Sequence, residues 1–260
     1  MTQLPDGISG FAGALADAAG AEIVPRFRTA IDIESKADES PVTIADREAE
    51  AAMRRLINER YPGHGIIGEE YGSENAEAEF VWVLDPVDGT RAFIAGKPIF
   101  GTLIALLQGG RPVLGVIDQP VLRERWIGIA GEQTTLNGAP VTTRDCPVLS
   151  DALLNSTSPD MFDAEALSRF QALSAECGST QYGGDCYGYA LLAGGHIDLV
   201  VETDLKPYDF CALIPVVEGA GGRMCDWRGE ALSLDSAGDV IAAGDPALAD
   251  AAADILSADY

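Results

Sequence analysis

The apolar run Phe80-Val-Trp-Val-Leu84 leads without a break into Asp85-Pro-Val-Asp88-Gly-Thr90. A strand over the first segment delivers Asp85 at its carboxyl end. Pro86 then stops the ladder because it has no N–H to give, and Asp88-Gly89 turns the chain sharply into the next element. Two carboxylates thus leave one tight turn and can face a single point, and the irregular backbone between them lets the Val87 carbonyl face it too. Oxygen-only ligation of this kind suits Mg²⁺, which takes a few carboxylates and fills its remaining positions with water or substrate phosphate. Taken alone, Asp-Gly is equally compatible with an ordinary Asx turn.

The rest of the composition narrows the chemistry. Only two histidines, His64 and His196, are present, so a His-rich zinc cage is excluded. Five cysteines without a CxxC pair form no disulfide framework and point to a reducing, cytoplasmic home. Lys plus Arg total 17 against 41 Asp plus Glu, a net charge of −24 that argues against nucleic acid or anionic lipid as a partner. The first 24 residues carry Asp6, Asp17 and Glu22 and lack a basic start, which fits an amphipathic helix better than a signal peptide. No apolar run reaches the roughly 18 residues of a membrane span.

At 260 residues the chain is expected to form a single unit, 1–260, with a hydrophobic content of 47% that supports a sizeable core. Helices are expected over 7–24 and 45–60, where Ala49, Met53, Leu56 and Ile57 recur at helical spacing, and Tyr61-Pro-Gly63 ends the second. Short β-rich runs at 66–67, 80–84, 99–107, 113–117 and 125–130 predict a mostly antiparallel sheet. The remainder alternates: strands near 152–156, 197–201 and 240–243, helices near 163–176, 186–194, 208–219 and 246–256. That pattern predicts a smaller sheet flanked by helices. The Ser, Asp and Pro cluster at 143–160 marks an internal boundary between halves of about 1–147 and 148–260.

Three further acidic signals have bland readings of their own. Glu69-Glu70 follows the apolar Ile66-Ile67-Gly68, where an acidic pair is commonly a solvated loop. Asp209 in Lys206-Pro-Tyr-Asp209 sits near a positive helix end opened by Pro207. Asp46 completes a capping-box pattern with Thr43.

Together, Gly68-Glu69-Glu70, Asp85-Pro-Val-Asp88-Gly-Thr90 and Tyr208-Asp209 with Gly219-Ala-Gly-Gly222 behind it resemble the inositol monophosphatase superfamily, which includes the fructose bisphosphatases. The resemblance spans about residues 36–222. It implies an α/β fold, a sandwich of alternating α and β layers with the active site between the two halves, and a Mg²⁺-dependent, lithium-sensitive phosphatase. It further implies that Glu69, Asp85, the Val87 carbonyl, Asp88 and Asp209 hold two or three Mg²⁺ ions. Thr90 and Asp46 would then orient the attacking water, Glu70 would support a second water, and the amides of Gly89, Thr90 and Arg91 would cradle the phosphate. Lys36 is a candidate to approach that phosphate, or else a solvated surface lysine. A homodimer is expected by the same resemblance. The Gly219–Gly222 stretch lacks a P-loop lysine and reads as a helix stop.

Within the superfamily, Arg91 to Ala105, Tyr182-Gly-Gly-Asp-Cys-Tyr187 and Asp204-Leu-Lys-Pro-Tyr-Asp209 resemble the histidinol-phosphatase branch. Asp185 falls where the inositol enzymes carry a small residue beside the leaving group. Histidinol offers an ammonium and an imidazole that can donate to a carboxylate, whereas inositol offers neutral hydroxyls. Glu202 would supply a second anion, and with Asp209 these acids complete the substrate contacts. The plain alternatives are a helix N-cap for Asp185 and an exposed strand end for Glu202. The reading is therefore hydrolysis of L-histidinol phosphate in histidine biosynthesis. The alternatives are an inositol monophosphatase or a broader sugar or nucleotide phosphatase, and, in another class, a catalytically silent binding protein.

Overall fold

The computed structural model describes residues 4–30, 33–35 and 41–258. Lys36 lies outside the described residues. Two sheets alternate with three layers of helices. The larger sheet has eight strands in the order β10-β9-β8-β7-β6-β5-β3-β4, formed by β3 (Gly65–Gly68), β4 (Gly72–Glu74), β5 (Phe80–Asp88), β6 (Gly101–Gln108), β7 (Arg111–Gln119), β8 (Glu124–Ile129), β9 (Thr135–Leu136) and β10 (Ala139–Pro140). Its pairs are antiparallel except β3 with β5. A two-stranded ribbon, β1 (Ile33–Ser35) with β2 (Pro41–Thr43), precedes it.

Side-chain alternation along the central strands explains the layering, since successive residues point to opposite faces. Trp82, Leu84, Ile104, Leu106, Leu114 and Val116 face helices α1 (Ile8–Ile23) and α2 (Ile44–Arg60). Val81, Val83, Leu103, Ala105, Leu107 and Ile117 face the other way, toward α5 (Cys186–Ala193) and α7 (Leu213–Gly219). His64, after α2, is stacked between Tyr61 and Phe80 and accepts a hydrogen bond from Trp82 Nε1 at 3.1 Å, so it closes this core rather than serving chemistry.

The second sheet has five strands in the order β12-β11-β13-β15-β14, from β11 (Leu153–Ser156), β12 (Ser179–Tyr182), β13 (Leu199–Glu202), β14 (Arg223–Cys225) and β15 (Val240–Ala243). Strands β12, β11 and β13 run parallel, and β15 is antiparallel to both of its neighbours. Val200, Val240 and Ala242 pack onto the same middle helices as the larger sheet. Leu199, Val201 and Ile241 face the outer helices α4 (Ala164–Glu176) and α8 (Pro246–Leu256). The result is the expected layered α/β sandwich. Among the described residues no helix is long and apolar enough to cross a membrane.

Two local expectations are corrected. Pro86 does not stop its strand: β5 continues through it to Asp88, and the register against β6 shifts between Asp85 and Asp88. The buried Thr102 hydroxyl donates to the Pro86 carbonyl at 2.8 Å, so the neighbouring strand accommodates the bulge. The helix expected over 208–219 is two, α6 (Pro207–Phe210) and α7, because Pro215 has no N–H for the Cys211 carbonyl one turn back. Strands β12 and β14 were not anticipated, being an exposed polar edge and a three-residue segment respectively.

The middle helices lie unusually close to the larger sheet. A methyl on Gly115 of β7 would collide with the Ala212 carbonyl, and one on Gly128 of β8 with the Pro215 carbonyl. Since backbone rather than side chain is met, neither clash can be relieved by a rotamer change. Gly128→Ala is expected to destabilise by about 1–3 kcal/mol. Gly10→Ala, on the open face of α1 with nothing within 4 Å, is expected to stabilise by about 0.5–1 kcal/mol. Urea unfolding of both variants checks the pair, and a neutral Gly128→Ala would contradict the tight sheet–helix contact.

Candidate functional site

The site is built where β5, α3 (Thr90–Ile94) and the start of α2 meet α6 and α5 from the other half. Asp85 and Val87 are buried on the bulged end of β5, and Asp88 closes the strand. Asp85 Oδ1 also accepts from the Val87 amide at 3.0 Å, an Asx turn formed by Asp85 that coexists with its place in the carboxylate cluster. Gly89 takes φ 84° and opens α3, placing the amides of Gly89, Thr90 and Arg91 at one helix start. A methyl there would lie 2.9 Å from the Asp185 carboxylate, so both backbone angle and space require glycine.

Asp209 occupies the third position of α6, where its carboxylate accepts from the Lys206 amide at 2.7 Å. That bond caps the helix and leaves the acid beside the β5 pair. Carboxylate oxygens of Asp85, Asp88 and Asp209 lie within 4.8 Å of one another. Glu69, on the turn after β3, shares a hydrogen bond with Asp85 and raises the pKa of both Asp85 and Asp209 by its charge.

Thr90 and Asp46 are in contact. The Thr90 hydroxyl lies 3.2 Å from Asp46 Oδ1 and 3.0 Å from the Val87 carbonyl. The other Asp46 oxygen accepts from the Thr43 amide at 2.9 Å and the Thr43 hydroxyl at 2.6 Å. The capping box of α2 therefore orients Asp46 toward Thr90.

Glu50 was not anticipated. It is fully buried on α2 and accepts from the amides of Glu70 at 2.7 Å and Tyr71 at 3.2 Å, and from Arg54 Nε at 2.7 Å. It thereby fixes the Glu69-Glu70 turn. The signal was available: Glu50 falls in the inward stripe with Asp46, Ala49, Met53 and Ile57, where an unneutralised acid has no place.

Beside the carboxylate cluster lies a cavity of about 130 Å³ whose lining includes Asp88, Asp185, Tyr189, Glu202 and Asp209. Asp185 stands at the start of α5 at φ 46°, ψ −137°, and its side chain caps no amide there, contrary to the N-cap alternative. Instead the next amide, Cys186 N–H, donates to Asp88 Oδ2 at 2.5 Å. Exposed Arg91 and Lys97 lie close enough to favour the Asp185 charge, and Lys97 was also not anticipated. Glu202 is 3% exposed, not an open strand end.

Burial dominates the electrostatics. It pushes Asp85 and Asp88 well above the usual carboxylate range, reinforced at Asp85 by Glu69, Asp88 and Asp209, and at Asp88 by Asp185 and Asp209. Burial likewise raises Asp209 to about 7 and Asp185 to about 7. Asp46 is raised by its burial, with the Thr43 contacts opposing. Acids so arranged repel one another unless protons or cations are shared among them. The donor set is all oxygen, open on the cavity side, and fits a hard divalent cation.

Comparison with known proteins agrees with this geometry. Residues 5–258 match the model of the inositol monophosphatase family. The bifunctional phosphatase IMPL2, chloroplastic, of Arabidopsis thaliana is 51% identical over 249 residues, covering 92% of this chain and 72% of that protein. A histidinol-phosphatase of Chlorobaculum parvum is 36% identical over 226 residues, covering 86% and 87%. The solved structure of an inositol monophosphatase from Zymomonas mobilis superposes with a TM-score of 0.90 at 50% identity, covering 97% of this chain and 98% of that one. With the layered fold and the carboxylate cluster at the end of β5, these matches lead to one conclusion: the chain belongs to the inositol monophosphatase family.

Proposed function

We propose that this phosphatase hydrolyses L-histidinol phosphate, with Mg²⁺ held by Asp85, Asp88 and Asp209 together with Glu69 and the Val87 carbonyl. The observation that carries the substrate is the alcohol-side cavity, where Asp185 and Glu202 present two carboxylates to whatever leaves. An alcohol bearing an ammonium and an imidazole donates to both, while a neutral polyol brings no positive charge to Glu202. Bound cations would supply positive charge that acidifies water and neutralises the phosphoryl oxygens.

The chain's own groups account for the remaining work. Thr90 accepts a hydrogen bond from the attacking water and donates its own proton toward Asp46, which aims a water lone pair at phosphorus. The raised pKa of Asp46 suits it to take up that proton. The amides at Gly89, Thr90 and Arg91 receive the phosphoryl oxygens. Glu70, on the turn held by Glu50, supports a second water. Attack forms one P–O bond and breaks the ester P–O bond, and the departing alkoxide takes a proton from water to leave as the alcohol. A neutral polyol phosphate is the second reading, favoured by the half-identical relative described as an inositol monophosphatase.

Phosphate release from L-histidinol phosphate and inositol monophosphate, each with Mg²⁺ and with EDTA, tests the reading. A Mg²⁺-dependent preference for histidinol phosphate is expected, and a preference for inositol phosphate would replace it with the second reading. Asp88→Asn should lower kcat at least about 100-fold with the fold retained by circular dichroism, the scale of losing one preorganised charged group. Near-wild-type turnover would remove Asp88 from the metal set. Asp185→Asn should reduce kcat/KM for histidinol phosphate about tenfold more than for inositol phosphate, the worth of one charge-assisted hydrogen bond. Equal losses would discard its recognition role.

The raised carboxylates also set a pH dependence. Asp209 titrates at about 7 when folded against 3.8 unfolded, so the folded state holds a proton that the unfolded chain has released. Metal-free stability contributed by such a group falls as pH rises from the unfolded value through the folded one. A cation replaces those protons, so the Mg²⁺-induced rise in Tm should be larger near pH 8 (about one unit above the folded value) than near pH 6 (about one unit below). A rise that is equal or smaller at the higher pH would exclude the proton-for-metal exchange.

A further inference from the structure

Asp185 and Glu202 share one cavity and differ in company. Arg91 and Lys97 partly neutralise Asp185. Among the described residues no Lys, Arg or His forms an ion pair with Glu202, whose carboxylate oxygens each accept from one neutral donor. Oε1 takes the Thr157 amide at 2.9 Å and Oε2 takes the Tyr189 hydroxyl at 2.9 Å. Trp227 Nε1 donates to the Glu202 backbone carbonyl at 3.1 Å and fixes the stem from behind. A carboxylate offers about four acceptor positions, so two remain for a ligand. A buried acid without a cation costs stability, and a cationic ligand is the group that recovers it.

Tyr189 lies four residues after Asp185 and three after Cys186, on the face of α5 turned to the cavity, and is 1% exposed. Nothing in the hydrolytic half of the site requires a hydroxyl there. We propose that Tyr189 is a positioning residue for the alcohol half of the substrate: its hydroxyl aims the Glu202 carboxylate across the cavity, and selection of a cationic alcohol depends on that hydroxyl. The inference rests on the reading of the cavity given above. Without the hydroxyl, Glu202 keeps only the Thr157 amide, can turn about its last torsion, and loses a contact that favours its charged form.

The test is Tyr189→Phe in the full chain with Mg²⁺, assayed on L-histidinol phosphate and on inositol monophosphate across a pH series. The ratio of the two kcat/KM values is expected to fall about tenfold, the scale of one hydrogen bond to a charged group, with the loss in KM for histidinol phosphate. The acidic limb of its pH profile should move to higher pH, since the lost bond had favoured ionisation. In a Glu202→Gln background the same substitution should leave the ratio unchanged. A purely structural role would lower both substrates together and leave the ratio and the pH limb in place, which overturns the inference while the wild-type preference stands. A Tyr189→Phe effect that persists in Glu202→Gln overturns it as well. Absence of any wild-type preference for histidinol phosphate overturns the reading of the cavity, and the inference with it.

Discussion

Mutual repulsion among carboxylates is the constraint around which this molecule is arranged. Asp85, Asp88 and Asp209 are brought within 4.8 Å of one another, with Glu69 hydrogen-bonded to the first. Fully ionised, the three aspartates would drive one another apart. Each is therefore tied down by a neutral donor elsewhere: Asp85 by the Val87 amide, Asp88 by the Cys186 amide, Asp209 by the Lys206 amide. The layers behind them, from the α1–α2 face to the closely docked α7, supply the burial that makes the cluster expensive and hence receptive to cations.

Much of the site was legible because its residue types are unusual for their positions. An acid ending an apolar strand, an acid after a helix-opening proline and a Thr-x-x-Asp box each carry a local cost or a local cap that sequence alone exposes. The strands and helices of the core followed from periodicity, since Val81, Trp82, Val83 and Leu84 alternate between two apolar layers. Elements fixed by tertiary contact were not legible. Whether Pro86 ends a strand or bulges it depends on Thr102 of the neighbouring strand, and whether Asp185 caps its helix depends on what occupies the space over Gly89. Tyr189 looks like an ordinary helix residue until its partner Glu202 is placed.

The candidate residues fall into two groups. Asp46, Thr90, Asp85 and Asp88 belong to α2, α3 and β5, while Asp185, Tyr189, Glu202 and Asp209 come from α5, β13 and α6. On the proposed reading, water activation resides with the larger sheet and recognition of the alcohol with the smaller. Asp209 alone among the clustered three crosses from the second group to the first. Such a division fits a family in which one hydrolytic apparatus meets different alcohols.

The peptide joining Asp185 to Cys186 connects the two groups mechanically. Its carbonyl side carries Asp185, the proposed selectivity residue, at positive φ, and its N–H side grips Asp88. A redesign that swaps the Tyr182–Tyr187 segment to admit another alcohol therefore also tilts a carboxylate of the hydrolytic cluster. Transplanted loops that preserve side chains but not this backbone twist would bind the new ester and turn it over slowly, so the twist is as much a part of the specificity cassette as the residues it displays.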